Sequence, residues 1–180
     1  MHQGKIEIGP RALGNRSIIA DPRIGKLKKI LNHKIKYRDP FRPFCPSVLE
    51  EDAKDWFEGS LINASQYMLV AHKVKTKKNI SAVVHEDNTS RIQLVSKNLN
   101  PKYHRLISEF KKITGIPLVL NTSFNVQEPI ISGPKEALST FLKSGMDFLV
   151  IGDYLVSKEK NVVNEFSKDI PLKQYFEGLR

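Results

Sequence analysis

The sequence predicts an α/β domain built on one mixed, open sheet with flanking helices. Three observations predict it. Short β-branched runs, such as residues 116–120, alternate with helical stripes, such as Tyr103, Leu106, Ile107 and Phe110, and that alternation belongs to sheets crossed by helices. The length of 180 residues is enough for one domain with a real core. The composition, 40% hydrophobic and 27% charged, is that of an ordinary globular protein.

The elements follow in order. Residues 6–23 contain two turn signals, Gly9-Pro10 and Gly14-Asn15, then a short strand at Ser17–Ala20 closed by Asp21-Pro22. Residues 24–35 set Leu27, Ile30 and Leu31 on one face and lysines on the other, a helix. Residues 38–46, RDPFRPFCP, hold too many prolines for a helix and read as extended chain. Residues 50–58 read as a short helix with Trp56 and Phe57 inward. Strands are expected at 67–74, 81–84 and 91–95, with a polar hairpin loop at 75–78. Asn100 offers an N-cap and Pro101 a first turn to a helix whose stripe is Tyr103, Leu106, Ile107, Phe110 and Ile113. Gly115 stops that helix.

A buried strand at 116–120 comes next and ends in Asn121, Thr122, Ser123, Phe124 and Asn125. A further helix starts at Ser132 or Gly133, has Pro134 near its first turn, turns Ala137, Leu138, Phe141 and Leu142 inward, and ends at Gly145. Phe148–Ile151 and Tyr154–Ser157 close the fold as paired strands. This places one domain over residues 1–158. Residues 159–180 form a polar tail in which Leu172, Tyr175 and Phe176 could dock as a short helix. The opening Met1-His2-Gln3-Gly4 carries no basic leader and runs at once into an information-rich stretch, so the chain is expected to begin inside a longer protein.

Charge narrows the class of partner. The net charge is +10, and residues 1–43 contain eleven Lys or Arg against three Asp or Glu, leaving eighteen against sixteen in the rest. A basic N-terminal end suits an anion: nucleotide phosphates, an acidic small molecule or nucleic acid. Lys26, Lys28 and Lys29 read as a solvated surface. The single cysteine, Cys45, excludes an internal disulfide framework and points to a reducing, cytoplasmic setting. No apolar run is long enough to cross a bilayer.

Four stretches could carry chemistry. The Asn121–Asn125 group offers hydroxyls and amides at the carboxyl end of a strand, where open α/β sheets place ligands; a polar turn is the plainer reading. Gly9-Pro10-Arg11-Ala12-Leu13-Gly14-Asn15-Arg16-Ser17 combines two glycines that permit close backbone approach with two guanidinium forks suited to phosphate or carboxylate. It is not a Walker A loop, since no Gly-Lys-Ser/Thr follows. On chemistry alone, an anion loop and a surface loop with solvated arginines stand level. Lys36-Tyr37-Arg38-Asp39-Pro40-Phe41-Arg42-Pro43-Phe44 is a stiffened segment with three cations, which suits an anion, or a structural arm in which Asp39 pairs with an arginine. His85-Glu86-Asp87-Asn88-Thr89-Ser90-Arg91-Ile92-Gln93 reads as a hairpin turn with Asp87-Asn88 at its tip. Arg91 and Gln93 alternate with Ile92 and so share one strand face. One His and two carboxylates without a second ligand cluster do not make a metal site, and none is assigned. Cys45 has no His at a useful spacing and reads as a small core residue. No Gly-x-Ser-x-Gly elbow is present.

Together, GPRALGNRSIIADPR (9–23), YRDPFRPFCPSVLE (37–50), HEDNTSRIQLV (85–95) and NTSFNVQEPI (121–130) resemble the C-terminal domain of the NodU-type carbamoyltransferases. The motifs occur in the family's order between about Gly4 and Val156. The resemblance implies a YrdC-like fold, a twisted open sheet with a basic concave face. It implies an O-carbamoyltransferase in which this domain uses carbamoyl phosphate and ATP with Mg²⁺ to make carbamoyl adenylate. A separate N-terminal domain, absent from this chain, would then pass the carbamoyl group to a hydroxyl acceptor.

The same resemblance implies site roles. Asn121, Thr122, Ser123 and Asn125 would hold the nucleotide phosphates. Lys36 and Arg42 would neutralise charge at the reacting phosphoryl group. Arg11 and Arg91 would grip carbamoyl phosphate. Arg16, Ser17, Arg38 and Thr89 are second choices. Two positions depart from the family pattern, Asn88 in place of a common Gly, and Val126-Gln127 before Glu128. Two other readings share the fold: a double-stranded-RNA-binding module and a threonylcarbamoyl-adenylate synthase-like enzyme. The aromatic residues are not interleaved with the cations in any stacking-platform pattern, which argues against nucleic acid as the partner, and GPRALGNRS favours the carbamoyl branch.

Overall fold

The computed structural model describes residues 1–75 and 80–158. Its centre is a four-stranded mixed sheet, ordered β1-β6-β2-β5: β1 (Ser17–Ala20), β6 (Leu118–Ser123), β2 (Cys45–Leu49) and β5 (Gln93–Val95). β6 is antiparallel to both of its neighbours, while β2 and β5 run parallel. Two smaller ladders flank it. β3 (Ala71–Lys73) pairs with β4 (Thr89–Arg91), and β7 (Phe148–Ile151) with β8 (Tyr154–Ser157). His2 bridges to Arg16 on one side and Ile151 on the other, so the first residues stitch the β7–β8 hairpin to the entry of β1. The expected α/β class and the closing strand pair are both present.

Among the described residues four helices complete the fold: α1 (Leu27–Lys34), α2 (Ala53–Trp56), α3 (Pro101–Thr114) and α4 (Pro134–Lys143). α3 starts as its sequence dictates. Asn100 Oδ1 accepts from the Tyr103 N–H at 3.2 Å, and Gly115 ends the helix at φ 76°. Ile113, counted on its apolar stripe, is instead exposed, as is Ile30 of α1.

Several expected elements differ. The segment 81–84, read as a strand, is a 3₁₀ turn, Ser81–Val83, because Ile80, Ala82 and Val83 drop into the core from a tight turn. The expected strand 67–74 is a 3₁₀ turn, Asn63–Tyr67, followed by the three-residue β3. The strand expected at 91–95 divides at the buried Ile92, one half joining each of two sheets. The proline-rich arm was read as extended up to Pro46; it enters the central strand β2, whose pairing with β5 begins at Ser47, past the proline. β6 runs through Asn121, Thr122 and Ser123, so these polar residues are strand and not loop. Most of loop 75–78 and the whole tail 159–180 lie outside the described residues.

One main core fills the space under the sheet, with Val48, Leu94, Leu118 and Leu120 meeting Phe44, Phe57 and Phe141. A second, smaller core on the opposite face joins Leu49, Val95 and Val119 to Tyr103 and Ile107 of α3.

Candidate functional site

Directly paired strand residues project to one face. The register pairs Ser17 with Ser123, Cys45 with Asn121, and Ser47 with Gln93. These six line the end of the sheet face that the glycine loop covers, all but Ser123 buried, while Leu49, Val95 and Val119 form the apolar end beneath α3. A face that changes from apolar to polar along its strands is sited for a ligand at the polar end. Because β6 runs antiparallel to β1 and β2, the carboxyl end of β6 meets the amino ends of those strands. Thr122 alternates to the other face, paired with Ile18.

The polar end is wired. Asn121 is buried, and its Nδ2 reaches Ala12 O at 3.0 Å, Ser47 Oγ at 2.9 Å and Gln93 Oε1 at 3.0 Å. Ser47 Oγ donates to Gln93 Oε1, and Gln93 Nε2 donates to Leu13 O at 2.9 Å. Asn121 and Gln93 thus clamp the glycine loop by its carbonyls. The sequence places Arg91 and Gln93 on one strand face; the strand divides between them, so Arg91 sits on β4 and its guanidinium reaches this face by donating from Nε and from Nη2 to Cys45 Sγ, each at 3.4 Å.

The glycine loop is held from the other side by Glu7, a residue the sequence did not single out. Its carboxylate accepts from the N–H groups of Leu13 (2.8 Å), Asn15 (2.7 Å) and Arg16 (3.1 Å). Gly14 donates to Ser17 Oγ at 2.9 Å, which occupies Ser17 within the loop. Gly14 adopts φ +111°, and an added Cβ would sit 2.3 Å from the Tyr103 ring, so glycine is required there. The two loop arginines part ways. Arg16 is buried and spends its guanidinium on the carbonyls of Ser132, Gln3 and Gly4, with Gln3 O at 2.6 Å. Arg11 is half-buried, and its Nε is enclosed without a hydrogen-bond partner among the described residues. An enclosed, unpaired guanidinium N–H fits an anion that would complete it.

Lys36 joins the proline-rich arm to β6. It is buried, and its Nζ donates to Ser123 O at 2.6 Å, Asn125 O at 2.8 Å and Asn125 Oδ1 at 2.7 Å. Ser123 Oγ also donates to Asn125 Oδ1 at 2.7 Å. Burial, with Arg38 adding repulsion, lowers the Lys36 ammonium to about 7; Glu128 opposes that shift. Arg38 is fixed by its Nε on Asn32 Oδ1 at 2.7 Å and by the Phe44 ring, 4.9 Å below. Burial and the nearby Arg42 push its pKa down. Arg42 itself is exposed and its side chain makes no bond within the described residues. Thr89 is engaged in the turn before Arg91, donating to Asp87 Oδ1 at 2.7 Å with His85 Nδ1 at 3.1 Å. Asn88 takes φ +63° in that turn, the left-handed conformation its departure from glycine had to accommodate.

The structure therefore gathers Arg91, Asn121 and Ser123 on one sheet end, with the Arg11 loop clamped to it and Lys36 holding the turn beyond Ser123. Beside that turn a cleft of about 820 Å³ opens between residues 126–132, α4 and Tyr37. Among the described residues no group of three His, Cys, Asp or Glu could hold a metal, and no helix is long and apolar enough to cross a membrane.

Comparison with known proteins meets this geometry. The family model "Carbamoyltransferase C-terminus" matches residues 1–158. Nodulation protein NolNO of Sinorhizobium fredii is 45% identical over 92% of this chain and 25% of its own length. Nodulation protein NolO of Bradyrhizobium diazoefficiens is 44% identical over 92% of the chain and 31% of its own length. An uncharacterized protein of Methanocaldococcus jannaschii is 43% identical, with 88% and 26% covered. The chain thus spans between a quarter and a third of the length of these curated relatives. The glycine loop, the proline-rich arm and the polar end of β6 all fall inside the matched region, and the chain belongs to the carbamoyltransferase family, whose C-terminal part it represents.

Proposed function

We propose that this domain binds ATP and carbamoyl phosphate on the polar end of its sheet and makes carbamoyl adenylate for an O-carbamoyltransferase. The observation that carries the reading is the pairing of a preorganised polar floor with cations that have no internal partner. Asn121, Ser123 and Asn125 are already fixed, and Arg11 Nε and the Arg42 side chain lack partners among the described residues. The donors of that floor are spent within the protein, and it is an enclosed, unpaired N–H such as that of Arg11 that can stabilise phosphoryl charge without reorganising.

In this reading, carbamoyl phosphate reacts with water to give carbamate and inorganic phosphate. A carbamate oxygen then attacks the α-phosphorus of ATP, the bond to the bridging oxygen breaks, and pyrophosphate leaves. No general base is required, because the attacking oxygen is already anionic. Arg11 and Arg91 grip the carbamoyl phosphate, whose anion satisfies the enclosed Arg11 N–H. Asn125 and Ser123 face the nucleotide phosphates, with Lys36 fixing their turn and adding positive charge. Arg42 and Arg38 neutralise the outer phosphates from the arm. Arg16, Ser17 and Thr89 support the loops that carry these groups, and Thr122 backs the strand from its other face. Mg²⁺ screens the phosphates when bound; with no carboxylate cluster among the described residues, the nucleotide's own oxygens would carry it. The hydroxyl acceptor is met by a further domain.

Incorporation of labelled pyrophosphate into ATP tests the reaction. Exchange should depend on carbamoyl phosphate and Mg²⁺ and be lost in Arg91→Ala. A folded protein that exchanges label equally well without carbamoyl phosphate, or not at all with it, would contradict the assignment.

A further inference from the structure

Met1 and His2 lie between two strand edges, and the space beside them has the shape of one more strand. Met1 exchanges hydrogen bonds with Ser17 of β1: its amino group donates to Ser17 O at 2.7 Å, and its carbonyl accepts from the Ser17 N–H at 3.0 Å. His2 pairs with β7 on the other side, donating to Val150 O at 2.8 Å and accepting from the Gly152 N–H at 3.0 Å. This short segment therefore runs antiparallel to β1 and parallel to β7.

Ladder alternation identifies the groups it leaves open. Arg16 O accepts from the Phe124 N–H, so Ile18 and Ala20 bond toward β6, and Ile19 turns its N–H and C=O to the Met1 edge. In β7 the Val150 C=O is taken by His2, which puts the Val150 N–H and the Phe148 C=O on that same edge. The N–H and C=O of Ile19, the Val150 N–H and the Phe148 C=O have no backbone partner among the described residues. Open edges of this kind are templates for another strand. Extending the line of Met1 and His2 by two residues satisfies all four groups. The position next to Met1 would meet Val150 N–H and Phe148 O, and the one before it would exchange both bonds with Ile19.

The space between the edges is a cleft of about 270 Å³. Leu27 and Leu31 of α1 line it from the side of the main core, and Leu106 of α3 from the side of the second core. A strand covered on both faces by helices is apolar along its whole length, without alternation.

We propose that this cleft is a strand-acceptor slot, filled by an extended apolar segment on the amino side of Met1 that joins the four-stranded sheet to the β7–β8 hairpin. The curated relatives, of which this chain spans between a quarter and a third, have ample further chain to supply such a segment. The slot would tie this domain into a longer carbamoyltransferase through its sheet. None of Arg11, Arg91, Ser123 and Asn125 lines it, so it stands or falls apart from the ligand reading above.

The test adds four residues ahead of Met1 of the full chain and reads amide hydrogen exchange at Ile19 and Val150, with thermal melting alongside. Three extensions are compared with the unextended chain: Val-Ile-Val-Ile, Val-Ile-Pro-Pro, and Glu-Lys-Glu-Lys. The first offers both the N–H groups and the apolar side chains, the second lacks the N–H groups next to Met1, and the third lacks the apolar side chains. Val-Ile-Val-Ile should slow exchange at both amides about tenfold and raise the melting temperature, while the other two leave both as in the unextended chain. Unchanged exchange with Val-Ile-Val-Ile overturns the slot. Equal protection by the proline extension overturns the strand pairing, and equal protection by the charged one overturns the apolar occupant.

Discussion

Lys36 donates from Nζ to Asn125 Oδ1 at 2.7 Å, across 89 residues of sequence. With Ser123 O and Asn125 O as its other close acceptors, the ammonium determines the shape of the turn that leaves β6. Lys36→Met removes the donor and leaves those oxygens facing an apolar chain. A buried polar group without its partner costs about 1–3 kcal/mol, more when the partner is charged. Chemical denaturation should show a loss of that order, and nucleotide binding should fall beyond detection, because the turn no longer holds its shape.

The same ammonium gives nucleotide affinity a pH dependence. Its pKa in the free protein is lowered by burial to about 7, and a bound polyphosphate favours the charged form. Affinity from this group is therefore complete below about 7 and declines as pH rises toward the higher pKa of the complex. Titrations from pH 6.5 to about 9 should show weakening MgATP binding in wild type. Lys36→Arg, which stays charged, should flatten the profile.

Gly14 and Tyr103 set a steric limit on the glycine loop. A Cβ at Gly14 would lie 2.3 Å from the ring and the residue would remain at φ +111°. Gly14→Ala should cost about 2–4 kcal/mol by urea unfolding, as overpacking and left-handed strain combine. Tyr103 is fully buried and cannot yield.

Asn121 offers a test of the clamp. Asn121→Leu keeps the branched shape of the side chain and removes the bonds to Ala12, Ser47 and Gln93. The change should lower stability by about 2–3 kcal/mol. It should also speed proteolysis within residues 9–14, since the loop loses one of its attachments to the sheet. Cleavage at the wild-type rate would show that Glu7, Gln93 and Ser17 hold the loop without Asn121.

The parts of the fold that obey local rules could be read from the chain. Asn100, Pro101 and Gly115 bound α3 by capping chemistry alone, and Ser17–Ala20, Phe148–Ile151 and Tyr154–Ser157 lie where their β-branched or aromatic runs sit. The parts set by tertiary contact could not. The carbonyl clamps and the Lys36 anchor let β6 continue through Asn121, Thr122 and Ser123, a run that local propensity assigns to a turn. β2 includes Pro46 because β6 pairs with it on one side only, and the ladder to β5 starts at Ser47, past the missing N–H. Within the site, the cationic motifs were visible as residue types, but their division of labour was not. Arg11 and Arg16 differ by five positions and by nothing in local chemistry, yet one guanidinium is spent on carbonyls and the other has an unpaired N–H. Glu7 carried no signal beyond one carboxylate ahead of a glycine loop.

The most direct measurement is calorimetric titration of carbamoyl phosphate into wild type, Arg11→Ala and Arg91→Ala, with MgATP held constant. A charge-assisted guanidinium contact is worth about 1.5–3 kcal/mol, or about 10- to 100-fold in affinity. Each variant should bind carbamoyl phosphate weaker by that factor while its melting temperature stays close to wild type, since Arg11 makes no side-chain hydrogen bond and Arg91 bonds only the Cys45 thiol among the described residues. Equal affinity in all three proteins would contradict the placement of carbamoyl phosphate on this face of the sheet.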